Sequence, residues 1–169
     1  FALSSAASRD AAILATNLPP GAYTAQVTNG AASSVPGIAL VEIYDVTGSA
    51  RLINLSTLAQ VGTGDGIVIS GFIIPPGGGV RKILIRAAGP QLGLPVTASP
   101  PGFGVAGALT NPALAVYDAK VVQIASNDDW NSDNSAALSA SFVAAGAFPF
   151  AAGSKDAALL VDLQPNAIY

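Results

Sequence analysis

Val80-Arg81-Lys82-Ile83-Leu84-Ile85-Arg86-Ala87 decides the fold class. Val80, Lys82, Leu84 and Arg86 share one face of an extended chain, and Arg81, Ile83, Ile85 and Ala87 share the other. That period of two is the mark of a β-strand with one side packed and one side wetter. Outward from it, short runs rich in Val, Ile, Leu and Tyr recur between Gly, Pro and Asn breakers such as Pro19-Pro20-Gly21, Gly62-Thr63-Gly64-Asp65-Gly66 and Pro75-Pro76-Gly77-Gly78-Gly79. The spacing predicts strands over 11–16, 22–28, 38–45, 51–55, 66–74, 80–87, 113–118, 121–126 and 157–163. Residues 38–45 and 66–74 are the most continuously apolar, which predicts strands covered on both faces. Residues 88–112, with five Pro and five Gly, predict a long loop. One Ala-rich stretch, 136–145, predicts a short helix with Asn134 or Ser135 as N-cap and Gly146 just beyond its end. No strand–helix–strand rhythm is present. The expected fold is all-β: an antiparallel, jelly-roll-like β-sandwich with one short helix near 136–145.

Composition narrows the function classes. The 169 residues suit one domain with a substantial core. Charged residues are 10% of the chain, against about 25% in ordinary soluble domains, and mean hydropathy is +0.53. Two uncharged stretches, 87–117 and 134–154, are interrupted by Pro, Gly and Ser, so neither supplies the roughly 20 consecutive apolar residues of a spanning helix. The opening Phe1-Ala2-Leu3 without Met reads as a processed or excised segment. With no Cys, disulfides, thiolate nucleophiles and Cys-ligated zinc are excluded. The absence of Met as well leaves no readily oxidised sulfur, which suits a durable exported protein. A net charge of −3 argues against a nucleic-acid surface. Charge this sparse leaves surfaces little repulsion, which fits a chain covered by its neighbours.

Ser8-Arg9-Asp10-Ala11-Ala12-Ile13-Leu14 returns as Ser154-Lys155-Asp156-Ala157-Ala158-Leu159-Leu160, and Pro19 and Tyr23 return as Pro165 and Tyr169. A fixed offset of this kind marks a tandem array whose period is a whole domain. Several elements carry a family resemblance: Leu114-Ala115-Val116-Tyr117-Asp118, Ile124-Ala125-Ser126-Asn127-Asp128-Asp129-Trp130, and Asp156–Leu160 with Pro165 and Tyr169. Together they resemble bacterial pre-peptidase C-terminal-type sandwich domains. Arg51–Thr57, Val61–Gly66 and Leu84–Pro90 are similar to a repeat of large exported proteins of environmental bacteria. The resemblance implies that a module starts near Arg51-Leu52-Ile53-Asn54-Leu55 and finishes at an element like Ala39-Leu40-Val41-Glu42-Ile43-Tyr44-Asp45. Residues 1–45 are then the C-terminal part of one module, 46–50 the junction, and 51–169 the N-terminal part of the next. Residues 24–45 complete that second module either from a neighbouring copy or by folding back within their own chain.

Candidate chemistry is sparse. Asn127, Asp128, Asp129, Asn131 and Asp133 concentrate oxygen donors, with Asp-x-Asn-x-Asp at 129, 131 and 133, as a calcium loop would. Asn134 stands where such a loop needs Gly and Ala140 where it needs Glu. The competing reading is a polar turn followed by a helix N-cap. Trp130, the single Trp, is either a sugar-stacking platform or a core plug. Gly62–Gly66 lacks the Lys of a phosphate loop and reads as a turn, and the Asn54-Leu55-Ser56 sequon falls in an expected strand. Without His there is no Ser-His-Asp triad, and Asp118 with Asp128 is the one conceivable carboxylate pair. These readings give no catalytic residue and no cofactor beyond possible calcium. The expectation is a non-enzymatic, extracellular or cell-surface structural protein. It assembles with identical copies into a filament or array by strand complementation, without nucleic acid or a membrane span. The alternative is a carbohydrate-binding or calcium-stabilised adhesin module.

Overall fold

A computed structural model of the chain describes residues 11–13, 15, 19, 21–26, 39–43, 53–77, 79–132, 135–165 and 167–169. The chain divides into two units, Phe1–Arg51 and Leu52–Tyr169. In the second, a 3-10 turn at Gly64–Gly66 precedes β1 (Ile73–Ile74), β2 (Arg81–Ala87), α1 (Pro90–Gly93), β3 (Leu114–Tyr117), β4 (Gln123–Asn127), α2 (Ser135–Ala145), β5 (Ala157–Leu163) and β6 (Ala167–Ile168). The unit is mainly β. Among the described residues the strands form three two-stranded antiparallel ladders, β1–β6, β2–β5 and β3–β4.

The β2–β5 ladder is the longest, running from Arg81 opposite Leu163 to Ala87 opposite Ala157. The strand forms as expected, but its burial does not alternate: Arg81 and Lys82 are exposed and every residue from Ile83 to Ala87 is half-buried. Leu84 and Leu160, directly paired, both pack on a cluster of Trp130, Leu138, Phe142, Phe150 and Ala158. On the same face Lys82 and Asp162, also paired, meet in an exposed ion pair at 2.7 Å, a contact worth at most about 1 kcal/mol. β5 packs against β2, β3, β4 and α2, which makes it the hub of the unit.

Helix α2 covers the cluster with Leu138 and Phe142, one turn apart, as i and i+4 residues must be to reach the same surface. Ser135 is its first residue, and Asn134, the other N-cap candidate, lies outside the described residues. The C-terminal end matches the expectation closely. Gly146 takes φ of +67°, Ala147 N–H donates to the Phe142 carbonyl, and Gly146 N–H donates to the Val143 carbonyl. Those two bonds are a Schellman motif, and its left-handed position favours Gly.

Four expected strands form within a residue or two of their expected bounds: 80–87, 113–118, 121–126 and 157–163. Others do not form. Of 66–74 only Ile73–Ile74 forms a strand, continued by the backbone bonds of Phe72 with Tyr169, and Ile67, Val68 and Ile69 are exposed rather than covered on both faces. The described residues of 11–16, 22–28, 38–45 and 51–55 are exposed and outside any strand; Leu14, Thr16, Val27, Thr28, Ile38, Tyr44, Asp45, Arg51 and Leu52 lie outside the described residues. The physical reason is that strand preference is realised only against a partner ladder, and the described residues of these runs are in none. The expected 88–112 loop is instead partly ordered by its own backbone. It opens with the single turn of α1, then Gly104 N–H donates to the Leu94 carbonyl and Val105 N–H to that of Leu92.

The β3–β4 hairpin turns through Asp118–Val122, where Val121 adopts φ of +61°. A β-branched residue in the left-handed region is strained by about 1–2 kcal/mol. Val121 is 78% exposed, so little burial opposes its replacement. Val121→Asn is therefore expected to stabilise the fold by about 1 kcal/mol, read as a higher urea midpoint with an unchanged slope.

Candidate functional site

The Asn127–Asp133 loop leaves the end of β4 and leads into α2. Asn127 is spent on architecture: its Oδ1 accepts from Ala158 N–H at 2.9 Å, tying β4 to β5, and its Nδ2 donates to the Asp129 carbonyl at 3.0 Å and Ser132 Oγ at 3.4 Å. Ser132 Oγ and N–H both donate to the same Asp129 carbonyl, at 2.7 and 3.1 Å. These bonds are those of a side-chain-stabilised turn. Asp128 and Asn131 are exposed, Asp129 is half-buried, and Asp133 lies outside the described residues. Asn127, Asp128, Asp129 and Ser132 line a shallow depression of about 420 Å³ with Ala113, Leu114 and Ser126. One atom there, Asp129 Oδ1, is buried without a hydrogen-bond partner. Among the described residues no three acidic, His or Cys side chains converge as a metal cluster.

Trp130 is 7% exposed, with its ring among Phe142 and Phe150 and its Nε1 donating to the Ala151 carbonyl at 3.3 Å. It is a core plug, and no sugar-stacking face remains on it. Asp118 is likewise committed. Its Oδ1 accepts from Lys120 and Val122 N–H, both at 2.9 Å, closing the hairpin turn. The Asn54-Leu55-Ser56 sequon is exposed and outside any strand.

The densest polar chemistry lies elsewhere, in two residues to which the sequence assigned no role. Asp156 is fully buried, one residue before β5. Its Oδ1 accepts from Gly89 N–H at 2.7 Å and Gln91 N–H at 3.1 Å, and its Oδ2 accepts from Ser154 Oγ at 2.6 Å and Gln91 N–H at 3.2 Å. Its carbonyl accepts from Trp130 N–H at 2.8 Å. Gln91, also fully buried, spans onward: Nε2 donates to the Pro101 and Pro100 carbonyls at 2.9 and 3.3 Å, and Oε1 accepts from Ala151 N–H at 2.8 Å. Gly89 has no room for a side chain, because a Cβ there would strike the Leu109 carbonyl.

Arg86, on β2, stands over three rings at once, 4.3 Å from the centroids of Phe142 and Phe148 and 4.0 Å from that of Phe150. One of its terminal nitrogens donates to the Phe148 carbonyl at 2.7 Å, while Nε is buried without a partner. Burial pushes the guanidinium down to about 10, against the opposing pull of Asp156, so it keeps its charge at neutral pH. Stacking of this kind needs a planar, weakly hydrated cation, which Lys is not.

Asp156 and Arg86 both sit in stretches that the sequence does single out. Asp156 belongs to the element that repeats, with Asp10 as its twin, and Arg86 and Gly89 belong to Leu84–Pro90. The geometry makes them a structural clasp rather than a reactive site. The repeat has an echo in local structure as well. Tyr23 Oη donates to the Pro19 carbonyl at 2.6 Å, and Tyr169 Oη reaches back to Gln164, accepting from its N–H at 3.1 Å and donating to its carbonyl at 3.4 Å. No protein family, curated protein or solved structure matches this chain.

Asp156→Asn keeps the shape but turns an amide group toward backbone donors that need an acceptor. A loss of about 3 kcal/mol is expected, against about 1 kcal/mol for Ser154→Ala. Arg86→Lys is expected to cost about 1–3 kcal/mol through the lost stacking and the Phe148 bond. Urea titrations monitored by the fluorescence of Trp130, which lies in the adjoining cluster, measure all three.

Proposed function

We propose that this chain is a non-enzymatic structural unit of an extracellular bacterial filament or surface array. Its strands belong to jelly-roll-like sandwiches, each completed by strands of the adjoining copy, and the units join head to tail. The observation that carries this is the exposed apolar run of the second unit. Ile53 is 78% exposed, Leu58 75%, Ile69 83% and Ile73 66%. An exposed apolar surface of this extent is an interaction surface, and strand addition satisfies apolar side chains and unpaired backbone groups together.

Three further features support the reading. The repeated element with its 146-residue period is that of an array. Seventeen charged residues in 169 leave little electrostatic barrier to association. The chemistry of catalysis finds no foothold either: the hydroxyls have no imidazole to activate them, and Asp118 is held in its own turn. Among the described residues no helix is long and apolar enough to cross a membrane. A location outside the cell is part of this proposal and rests on the resemblance of these elements to exported bacterial repeats.

Electron microscopy of the purified chain at micromolar concentration is expected to show filaments or sheets with a regular axial repeat. A field of discrete monomers, matched by a single 16.7 kDa species in sedimentation, overturns the proposal.

A further inference from the structure

The ladders β1–β6 and β2–β5 follow one another as a single zipper with one interruption. Phe72 and Tyr169 exchange both backbone bonds, each at 2.9 Å, and the rungs Ile73/Ile168 and Ile74/Ala167 come next. Past residues 75–80 on one side and 164–166 on the other, the rungs resume at Arg81/Leu163 and run to Ala87/Ala157. Asp156 lies immediately beyond the last rung and holds the Gly89 and Gln91 amides. Both ladders are antiparallel, so the chain ahead of Phe72 and the chain at Tyr169 leave the zipper at the same end. Tension between them opens it from that end, one rung at a time, and reaches the Asp156 clasp last.

Packing grades in the same direction. Near the loaded end Ile73, Ile168, Lys82 and Asp162 are exposed, with Ile74 and Leu163 the buried exceptions. Further in, Leu84 and Leu160 lie against the aromatic cluster, Arg86 stands over three rings, and Ala157 and Ala158 are buried. The clasp also differs from a rung in kind. A rung of an opening ladder bears the load alone, whereas Asp156 shares it between two amides on its carboxylate and the Trp130 amide on its carbonyl. Bonds to a carboxylate are roughly twice as strong as the neutral bonds of a rung.

We propose that Asp156 is a mechanical stop. Under load along the chain, the zipper from Phe72/Tyr169 to Ala87/Ala157 opens first. The clasp then keeps residues 89–156 together, with Gln91 still fastened to Pro100, Pro101 and Ala151, until it fails in a separate, final event. A unit with such a stop lengthens under tension and closes again from an end that was never released. That use in an array rests on the assembly reading above, whereas the order of opening belongs to a single unit.

Single full-length chains are pulled in optical tweezers, held through Ser56→Cys and through a tag fused after Tyr169. The chain has no cysteine of its own, so the thiol attachment is unique, and Ser56 is exposed and outside any strand. Opening in two stages is expected. The first releases about 10 nm of chain, the contour of residues 72–88 with 157–169 at roughly 3.5 Å per residue. The second releases residues 89–156. Asp156→Asn is expected to shorten the lifetime of the intermediate at constant force by about tenfold or more. Lys82→Ala, on an outer rung, is expected to leave that lifetime unchanged. Hydrogen exchange of the unloaded parent chain is the second measurement. There the Phe72 and Tyr169 amides are expected to exchange about tenfold or more faster than those of Gly89 and Gln91.

Opening in a single stage overturns the proposal. So does an intermediate whose lifetime is indifferent to Asp156→Asn, or a parent chain in which the Gly89 and Gln91 amides exchange as fast as those of Phe72 and Tyr169. Should Asp156→Asn fail to fold, the parent trace and the exchange order decide alone. Chains that open in two stages but form no filaments overturn the assembly reading and leave the stop standing. Filaments built of chains that open in one stage do the reverse.

Discussion

The buried carboxylate of Asp156 is the joint from which the second unit is built. Its two oxygens hold the backbone amides of Gly89 and Gln91, and its carbonyl holds the amide of Trp130. In one residue it therefore fixes the exit of β2, the start of α1, the approach to α2 and the entry into β5. A carboxylate so far from water is tolerable only because every oxygen is answered by a donor. Gln91 extends the same logic, answering Pro100, Pro101 and Ala151 and so fastening a proline-rich excursion that makes few ladder bonds of its own.

The apolar side of the unit depends on that joint. With β2 and β5 held in register, Leu84, Arg86, Ala158 and Leu160 present one surface, against which Trp130, Phe142 and Phe150 assemble. Arg86 is unusual in that company. Its guanidinium lies against three rings and a carbonyl, and the ring faces together with Asp156 offset its desolvation. The cluster is small, with five buried members. The apolar residues between Ile53 and Ile69 are not part of it and are exposed.

Charge and candidate chemistry divide in the same way. The acidic loop after β4 has the composition of a set of cation ligands, yet Asn127 and the Asp129 carbonyl are engaged in turn and ladder bonds. Asn and Asp side chains bond nearby amides whenever a turn offers them, and a string of oxygen-bearing residues does not reveal which oxygens are already occupied. Among the residues that organise the fold, Asp156 and Arg86 stand out in the sequence only as members of longer elements, and Gln91 does not stand out at all. Burial and partnership are properties of the folded chain.

The sequence by itself determined the mainly-β character, the helix at Ser135–Ala145 with its Gly146 cap, and the strands 81–87 and 157–163. Alternation, capping and breaker residues act over a few neighbouring positions, so local reading suffices for them. It also determined the repeat, which is a matter of comparison within the chain. Tertiary structure decided which apolar runs became strands, since a strand exists only with a partner and partners come from distant sequence. It decided as well that Trp130 is interior and that Asp156 is a clasp. The clasp depends on backbone groups that meet across more than sixty residues, as Gly89 and Gln91 meet Asp156, and the place of Trp130 on partners such as Phe142, Phe150 and Ala151 further along the chain; no local pattern encodes either meeting.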